Sequence, residues 1–274
     1  MSEGRADLLR PYAVASPRRY AAALATATNE ITRRAPAPRD LPFFGLDHPR
    51  GTRARRLDRL SELGIFRVYE RVLDLGAGLG GPARWLARRR GCSVVSFDRN
   101  VERAAASRLL VRRAHLQRSV RVSVAALDRL PVASHSFTHA WSVEALQPEI
   151  DKPAVVAELF RAVRPGGHVA LQEWVRSPPT AAVTASGYEP LEAFVRALGA
   201  AGFQDVRGER ADALGEEESA IGEILRERLA ELLGEPRDAE REAIESARER
   251  LEAGDRAAAD GAIELVQIFA RKPS

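Results

Sequence analysis

The sequence is poor in cysteine and lysine and has no long apolar run. Cys92 is the only cysteine among the 274 residues, so no disulfide forms within the chain and a reducing compartment is expected. No apolar run approaches the ~20 residues of a membrane-spanning helix. The first residues, M-S-E-G-R-A-D, lack the apolar core of a signal peptide. These features predict a cytoplasmic protein with no membrane partner.

Lysine occurs only at Lys152 and Lys272, so arginine supplies almost all of the positive charge. Residues 71–121 contain 12 arginines against 3 acids, whereas residues 203–262 contain 9 arginines against 18 acids. The arginines of the basic half recur at helical surface spacing, with few aromatic residues between them to stack on bases. We therefore interpret this half as solvated helix faces and expect no nucleic-acid partner, which is the alternative interpretation.

The stretch at residues 72–87 reads V-L-D-L-G-A-G-L-G-G-P-A-R-W-L-A. Its apolar beginning predicts a buried strand, and Pro82 is placed near the first position of a helix. A strand, a glycine turn and a helix together hold a polar ligand at a helix N-terminus. The glycines let the backbone approach that ligand and tolerate positive φ. We interpret this stretch as a cofactor-binding turn.

The glycine spacing alone fits two kinds of cofactor, because it satisfies both G-x-G-x-x-G and G-x-G-x-G. Asp74, two residues before Gly76, favours one of them. A carboxylate there can hold an ammonium group but repels a pyrophosphate. Asp98 ends a second buried strand, 20 residues after Gly78, where an acid accepts hydrogen bonds from ribose hydroxyls; a helix N-cap is its alternative role. A ligand that bears a cationic amino acid is therefore favoured over NAD.

The glycine stretch, from Asp74 to Ala87, resembles the first motif of class I S-adenosylmethionine-dependent methyltransferases. Its G-G-P-A-R continuation is similar to the corresponding stretch in the branch that acts on small molecules. That branch includes the sarcosine/dimethylglycine, phosphoethanolamine and tocopherol methyltransferase types. Residues 127–142, L-D-R-L-P-V-A-S-H-S-F-T-H-A-W-S, and residues 159–171, L-F-R-A-V-R-P-G-G-H-V-A-L, resemble later stretches of the same family. The resemblance implies S-adenosylmethionine as the cofactor.

The resemblance also implies contacts on the adenine side of that cofactor. Leu127 and Asp128 should border the adenine, with Asp128 accepting a hydrogen bond from its exocyclic amine. Arg99 follows Asp98 and flanks the same side, and Ser142 ends the fourth strand at the edge where open α/β sheets bind ligands. The predicted cofactor-binding residues are Asp74, Gly76, Ala77, Gly78, Gly80, Asp98, Arg99, Leu127, Asp128 and Ser142.

The chain departs from this branch where a catalytic histidine would be expected. Residues 144–152 read E-A-L-Q-P-E-I-D-K, without histidine, and residues 46–51 read L-D-H-P-R-G where the branch often has a D-Q-x-H-x-G-G-like stretch. His139 lies within a strand pattern, and we interpret it as a packed core histidine. Glu144 and Glu173, at strand ends, are therefore the candidates for a catalytic base. Exposed acids at strand ends are the alternative interpretation of both.

We expect an α/β fold with a Rossmann-like, seven-stranded, mostly parallel sheet, helices on both faces, a fifth strand from His168 to Gln172 and an antiparallel last strand. Residues 1–55 are an N-terminal segment, either a flexible tail or a lid. Residues 56–210 form the S-adenosylmethionine-binding domain, residues 211–262 an inserted helical cap and residues 263–274 the closing strand. The cap has an apolar stripe, for which homodimer formation is the alternative use. The stripe consists of Ile221, Ile224, Leu225, Leu229, Leu232 and Leu233.

The expected activity is methyl transfer from S-adenosylmethionine to an oxygen, nitrogen or carbon atom of a small-molecule acceptor. Two alternatives stay open. One is a methyltransferase-like protein that binds the cofactor or a partner without transferring methyl, and the other is a nicotinamide-dependent oxidoreductase that uses the same glycine turn. We identify no spacing of histidine, cysteine and carboxylate residues that predicts a metal site.

Overall fold

The computed structural model describes residues 16–33, 36–49, 54–146, 151–177, 188–211, 220–236 and 238–274. Its strands are β1 Arg71–Leu75, β2 Ser93–Asp98, β3 Val120–Val124, β4 Phe137–Val143, β5 Val163–Arg176, β6 Gln204–Arg210 and β7 Ile263–Arg271. They form one sheet in the order β3-β2-β1-β4-β5-β7-β6. β1 is parallel to β2 and β4, whereas β7 is antiparallel to β5 and β6. This sheet confirms the predicted fold class.

β5 is longer than the sequence pattern predicts, and both of its extensions matter. It begins at Val163 instead of His168, because residues 164–167 pair with the end of the chain. The Gly166 N–H donates to the Lys272 carbonyl over 3.0 Å, and the Lys272 N–H donates to the Gly167 carbonyl over 2.8 Å. At its other end β5 continues to Arg176, paired with Ile263 of β7. β5 and β7 therefore extend beyond the carboxyl ends of β1 and β4, where they form one wall of the ligand edge.

Helices cover both faces of this sheet. They are α1 Pro17–Thr32, α2 Ala54–Leu63, α3 Gly81–Arg90, α4 Val101–Arg113, α5 Lys152–Ala162, α6 Leu191–Ala200, α7 Ala220–Leu233 and α8 Asp238–Ala259. On one face, Leu159 of α5 and Phe194 of α6 share a buried cluster with Leu171 of β5. On the other face, Leu57 of α2 and Leu86 of α3 pack with Trp141 of β4. Apolar side chains of the strands are thereby removed from water on both sides.

The N-terminal helix and the inserted helix α7 pack against each other. Ser16 caps α1, because its hydroxyl accepts from the Arg19 N–H, and Pro17 occupies the first helical position. Tyr20 and Leu24 of α1 lie in one buried cluster together with Leu225 and Leu229 of α7 and Leu110 of α4.

The apolar stripe predicted for the inserted helices is wrong at one position, because Ile224 is 54% exposed. Ile221 lies within α7 and is partly buried. Leu232 and Leu233 are also partly buried and pack against the same cluster as Leu225. The buried face of α7 is therefore narrower than predicted, and α1 covers it. Among the described residues, no helix has the length and apolarity needed to cross a membrane.

Candidate cofactor and acceptor site

The glycine turn between β1 and α3 is closed by backbone hydrogen bonds and has no room for a side chain at Gly76 or Gly80. The N–H groups of Gly76 and Ala77 both donate to the Phe97 carbonyl of β2, over 2.8 and 2.9 Å. Gly76 has φ +73°, and a Cβ on it would lie 2.1 Å from the Cβ of Ala145. Gly80 has φ +79°, and a Cβ there would lie 2.2 Å from the Ser107 hydroxyl. Only glycine fits these positions, so the backbone itself forms the surface offered to a ligand.

Asp98 at the end of β2 lies against this turn, as its spacing predicted. One carboxylate oxygen accepts from the Gly78 N–H and the other from the Asn100 N–H, each over 2.8 Å. Asp98 is not the helix cap, because Asn100 caps α4 by accepting from the Arg103 N–H. Each carboxylate oxygen can accept a second hydrogen bond. The ribose-binding role predicted for Asp98 is compatible with this geometry.

Asp74 lies deeper than the rim of the turn. It is 4% exposed. Asp74 belongs to β1 and lies opposite Ser96 of β2 and Trp141 of β4. Burial raises the pKa of Asp74 to about 6, although the neighbouring side chains of Ser96 and Trp141 oppose the rise. The rise brings this pKa closer to neutral pH than that of an exposed aspartate. The contact of Asp74 with the ammonium group of a ligand stays a prediction.

The residues predicted to border the adenine differ in exposure. Leu127 is buried in the cluster shared by α5 and the sheet, whereas Asp128 and Arg99 are exposed. The loop that holds Leu127 is attached to α5, because the Leu130 N–H donates to Glu158 over 2.9 Å. Asp128 follows the end of β3, at Val124, in the chain. Its contact with an adenine stays a prediction.

Glu173 of β5 is fully buried at this edge, so the interpretation as an exposed strand-end acid is wrong for it. One of its oxygens accepts from the Ser142 hydroxyl over 3.3 Å and from the N–H groups of Ala145 and Leu146 over 3.1 and 3.0 Å. The other oxygen, Oε2, has no hydrogen-bond partner among the described residues. Burial raises the pKa of Glu173 to about 8, and the neighbouring Glu144 contributes to the rise. Glu173 therefore fixes the loop after β4 through one carboxyl oxygen, and its other oxygen, Oε2, accepts no hydrogen bond from the described residues.

Glu144 lies in that loop and is held differently. Its backbone has φ +55°, a left-handed conformation that is uncommon for a residue with a side chain. The Trp174 indole N–H donates to one carboxylate oxygen over 2.9 Å, and the Gln172 amide donates to the other over 3.3 Å. The Glu144 N–H donates to the Gln172 carbonyl over 2.7 Å. Two adjacent carboxyl groups thus stand at one edge in unlike environments.

The described part of the N-terminal segment lies on the glycine turn through contacts that the sequence did not reveal. Arg84 of α3 is fully buried, in contrast to the solvated face predicted for the arginines around it. Its guanidinium donates to the Asp47 carboxylate over 2.6 Å and to the Leu79 carbonyl over 2.8 Å. A Cβ on Gly81 would lie 2.0 Å from the His48 ring. The paired glycines of G-G-P were the signal in the sequence that another backbone or ring approaches here.

His139 is a packed core histidine, as predicted. It is buried at the opposite, amino end of the sheet, and its ring stacks on His168 at 5.3 Å between centroids. Burial lowers the pKa of His139 to about 4. The lone thiol, Cys92, is likewise buried and lies 3.3 Å from the Arg67 carbonyl. In the part of the chain that the structure describes, no group of three metal-ligating side chains is present.

A methyltransferase-domain family model matches residues 73–171. The chain is 34% identical over 130 residues to the methyltransferase GfsG of Streptomyces halstedii, covering 43% of this chain and 47% of that protein. It is 33% identical over 99 residues to the glycine/sarcosine/dimethylglycine N-methyltransferase of Actinopolyspora halophila, covering 36% and 18%. It is 30% identical over 148 residues to phosphoethanolamine N-methyltransferase 1 of Arabidopsis thaliana, covering 51% and 30%. The chain thus spans less than half the length of these relatives.

Solved structures of the same fold include enzymes that catalyse different reactions. The chain aligns with phosphoethanolamine N-methyltransferase 2 of Haemonchus contortus, bound to phosphomonomethylethanolamine and S-adenosylhomocysteine, at a TM-score of 0.64 and 20% identity, covering 90% of this chain and 61% of that one. It aligns with the [4+2]-cyclase SpnF at a TM-score of 0.63 and 22% identity, covering 80% of each chain. At these identities the likeness shows the fold.

The site described above fits S-adenosylmethionine. The turn has no space for a Cβ at Gly76 or Gly80, and the Asp98 carboxylate is held against its backbone. S-adenosylmethionine is bound in another structure of the Haemonchus contortus enzyme, which has the same fold. Residues 73–171 therefore resemble a methyltransferase domain, and the whole seven-stranded sheet has the Rossmann-like fold of the class I methyltransferases.

Proposed function

We propose that the protein transfers a methyl group from S-adenosylmethionine to an oxygen, nitrogen or carbon atom of a small-molecule acceptor. The observation that supports this most directly is the position of two carboxyl groups, Glu144 and Glu173, in the loop and strand beside the glycine turn. Gly76 touches the same loop, because a Cβ on it would meet Ala145. A cofactor on the turn and an acceptor beside the carboxyl groups would therefore be neighbours.

When bound, S-adenosylmethionine supplies a methyl group that its sulfonium already activates. The chain has to bind the cofactor, to orient the methyl donor and the acceptor toward each other, and to exclude water from the site. We assign binding to the backbone of Gly76, Ala77, Gly78 and Gly80, together with the predicted contacts of Asp98 and Asp74. We assign the adenine side to Arg99, Leu127 and Asp128. Ser142 positions Glu173 by donating to its carboxyl group.

We assign the proton transfer to Glu173 for acceptors that must lose a proton. Its pKa of about 8 is close to that of an effective general base near neutral pH. Its Oε2 atom has no partner among the described residues, so it can accept a proton without breaking a hydrogen bond there. The Glu144 carboxylate, held by Trp174 and Gln172, is assigned the orientation of a polar or cationic acceptor. Methyl transfer should accelerate as pH rises toward 8, because Glu173 then ionises.

The experiment that tests the proposal has a binding part and a reaction part. Purified protein is titrated calorimetrically with S-adenosylhomocysteine and, separately, with NADH. We expect saturable heat with the former and none with the latter; the reverse result would exclude the proposal in favour of an oxidoreductase. Methyl-labelled S-adenosylmethionine is then incubated with a panel of amines, carboxylates, phosphorylated amines, phenols and isoprenoids. Label in a product supports transfer.

The second candidate is a protein that binds the cofactor without transferring methyl. The observation in its favour is the [4+2]-cyclase among structures of this fold, which indicates that the fold is compatible with another reaction. It predicts saturable binding of S-adenosylhomocysteine, no labelled product and no compound whose mass increases by that of a methyl group. Product mass spectrometry separates the two candidates.

A further inference from the structure

The peptide between Leu79 and Gly80 lies in the middle of the glycine turn and is held at both of its polar groups. Its N–H, that of Gly80, donates to the Ala77 carbonyl over 2.7 Å. Its carbonyl, that of Leu79, accepts from the Arg84 guanidinium over 2.8 Å. A trans peptide is planar, with its N–H and C=O groups pointing in opposite directions. The hydrogen bond from Arg84 therefore also fixes the direction of the N–H that closes the turn.

This peptide depends on such a hydrogen bond because glycine follows it. Gly78 and Gly80, on either side of Leu79, have φ +52° and +79°. Glycine adopts positive and negative φ about equally readily, so a peptide next to it rotates at a lower cost than one between residues with side chains. The Arg84 guanidinium opposes that rotation.

The side chain of Leu79 connects the turn to the helices outside the sheet. It is 1% exposed and belongs to the cluster that contains Tyr20 and Leu24 of α1 and Leu225 of α7. The turn is thus attached at the Leu79 side chain by apolar contacts and at the Leu79 carbonyl by Arg84.

Asp47 orients the Arg84 guanidinium. The same nitrogen, Nη2 of Arg84, donates to the Leu79 carbonyl over 2.8 Å and to the Asp47 carboxylate over 2.6 Å. The Arg84 and Asp47 side chains are 0% and 2% exposed. Separating a buried ion pair leaves two charges without compensation. The ion pair therefore keeps Nη2 at the position from which it reaches the Leu79 carbonyl.

Asp47 is itself held by α1 and by the beginning of α3. The Tyr20 hydroxyl of α1 donates to the carbonyl of Leu46, the residue before Asp47, over 2.8 Å. A Cβ on Gly81 would lie 2.7 Å from the Asp47 carbonyl oxygen, so the backbone of the N-terminal segment touches the first residue of α3. A continuous series of contacts thus runs from α1 through Asp47 and Arg84 to the turn.

We propose that Arg84, oriented by Asp47, is a positioning residue for the cofactor. It keeps the Leu79–Gly80 peptide in the conformation that binds, so the affinity for S-adenosylmethionine depends on the packing of the N-terminal segment against α3. Without this hydrogen bond only a fraction of the molecules has a binding-competent turn, and the apparent affinity falls by that fraction. The inference rests on the assignment of the glycine turn to the cofactor under the proposed function, but not on methyl transfer.

The first test separates positioning from stability. The double variant Asp47→Leu with Arg84→Met removes both charges and should keep most of the stability of the parent. At a temperature where it is folded, it should bind S-adenosylhomocysteine about tenfold more weakly in calorimetric titration, which is the typical effect of losing a hydrogen bond from a charged donor.

Leu198→Ala is the control with the opposite pattern. Leu198 is buried in α6, so this variant loses stability through a cavity but should bind S-adenosylhomocysteine as tightly as the parent. Equal affinities of the parent and the double variant, or equal losses of affinity in the double variant and in Leu198→Ala, would overturn the inference.

The second test follows the peptide itself by hydrogen exchange without cofactor. The Gly80 amide should exchange about tenfold faster in the double variant than in the parent, because its peptide has lost the hydrogen bond from Arg84. The amide of Ile268, in β7 between β5 and β6, reports global unfolding. The ratio of the two exchange rates corrects for any change in stability, and an unchanged ratio would overturn the inference.

The inference and the proposed function fail separately in these tests. A parent that binds S-adenosylhomocysteine, together with a double variant that binds equally well, overturns the inference alone. Weaker binding by the double variant, without any methyl transfer by the parent, supports the inference and counts against the proposed function. No binding by the parent overturns both.

Discussion

Asp98 is the residue that ties the glycine turn to the next strand, through its hydrogen bonds from the N–H groups of Gly78 and Asn100. Asp98→Ala should lower the affinity for S-adenosylhomocysteine at least about tenfold, because hydrogen bonds to a charged group contribute roughly 1.5–3 kcal/mol. The far-UV circular dichroism should stay that of the parent. Calorimetric titration measures the affinity.

The control for this substitution is Asp205→Ala, which removes an exposed carboxylate that pairs with Arg271 over 2.9 Å. It should leave the affinity unchanged. An Asp98→Ala protein that binds as tightly as the control would exclude the ribose-binding role.

Glu173 makes stability depend on pH in a definite direction. Its folded pKa of about 8 lies above the ordinary value of 4.5, so between these two pH values the folded state keeps a proton that the unfolded state releases. The free energy of unfolding therefore falls as pH rises through this window. Relative to Glu173→Gln, which cannot ionise, the parent should lose on the order of a few kcal/mol between pH 5 and pH 8.

Urea denaturation at pH 5, 6.5 and 8 measures this difference. The pKa of Asp74, about 6, also lies above its ordinary value. Asp74 therefore changes the free energy of unfolding with pH in the same direction in the parent and in Glu173→Gln, and this contribution cancels in the comparison. Glu192→Gln, at an exposed position in α6, controls for the loss of one charge. A difference between parent and Glu173→Gln that does not vary with pH would contradict the prediction.

At the scale of elements, one buried ion pair attaches the N-terminal segment to α3. Asp47→Asn would leave the Arg84 guanidinium, which is fully buried, without its counter-ion. Breaking a buried pair from one side costs about 3–5 kcal/mol. We expect urea denaturation to show this decrease in the free energy of unfolding for Asp47→Asn. The double variant Asp47→Leu with Arg84→Met removes both charges and should recover most of that free energy.

The control for the buried pair is Asp58→Asn, which breaks the more exposed pairs with Arg89 and Arg90. Exposed pairs contribute about 0–1 kcal/mol, so this variant should be nearly as stable as the parent. Equal losses from Asp47→Asn and Asp58→Asn would mean that the N-terminal segment is not held through Arg84. The role of this segment as a lid stays a prediction.

At the scale of the whole molecule, the described helices and the sheet should unfold together. Leu229 of α7 is fully buried with Leu24 of α1, so Leu229→Ala should cost about 2–5 kcal/mol through a cavity. Ile224→Ala on the same helix, at a position that is 54% exposed, should cost less than about 0.5 kcal/mol.

Two probes test whether this loss is global. Tryptophan fluorescence reports the sheet through the buried Trp141 and the helix α3 packed on it through the buried Trp85, and circular dichroism reports all of the helices. Their transitions should coincide in the parent and in Leu229→Ala. A separate early transition in circular dichroism alone would show that α1 and α7 form an independent unit.

The features that could be predicted from the sequence are local ones. Apolar runs indicate the buried strands. The hydrogen bond between Asp98 and Gly78 of the turn forms within one strand–helix–strand unit, because the two residues are 20 positions apart. The boundaries of β5 were wrong because its first residues have the composition of a turn and become a strand only by pairing with the chain end. The exposure of Ile224 was missed because helical spacing does not state how wide a face the partner helix covers.

By itself, therefore, the sequence determined the α/β class, the glycine turn and the carboxylate that meets it, because each depends on periodicity or on residues close along the chain. The tertiary structure alone decided which groups meet across long separations. Asp47 reaches Arg84 across 37 residues, Gln172 reaches Glu144 across 28, and Gln267 reaches Gln172 across 95. A polar side chain carries no mark of its partner in the sequence, since its hydrogen bonds are settled only when packing buries it and removes water as the alternative.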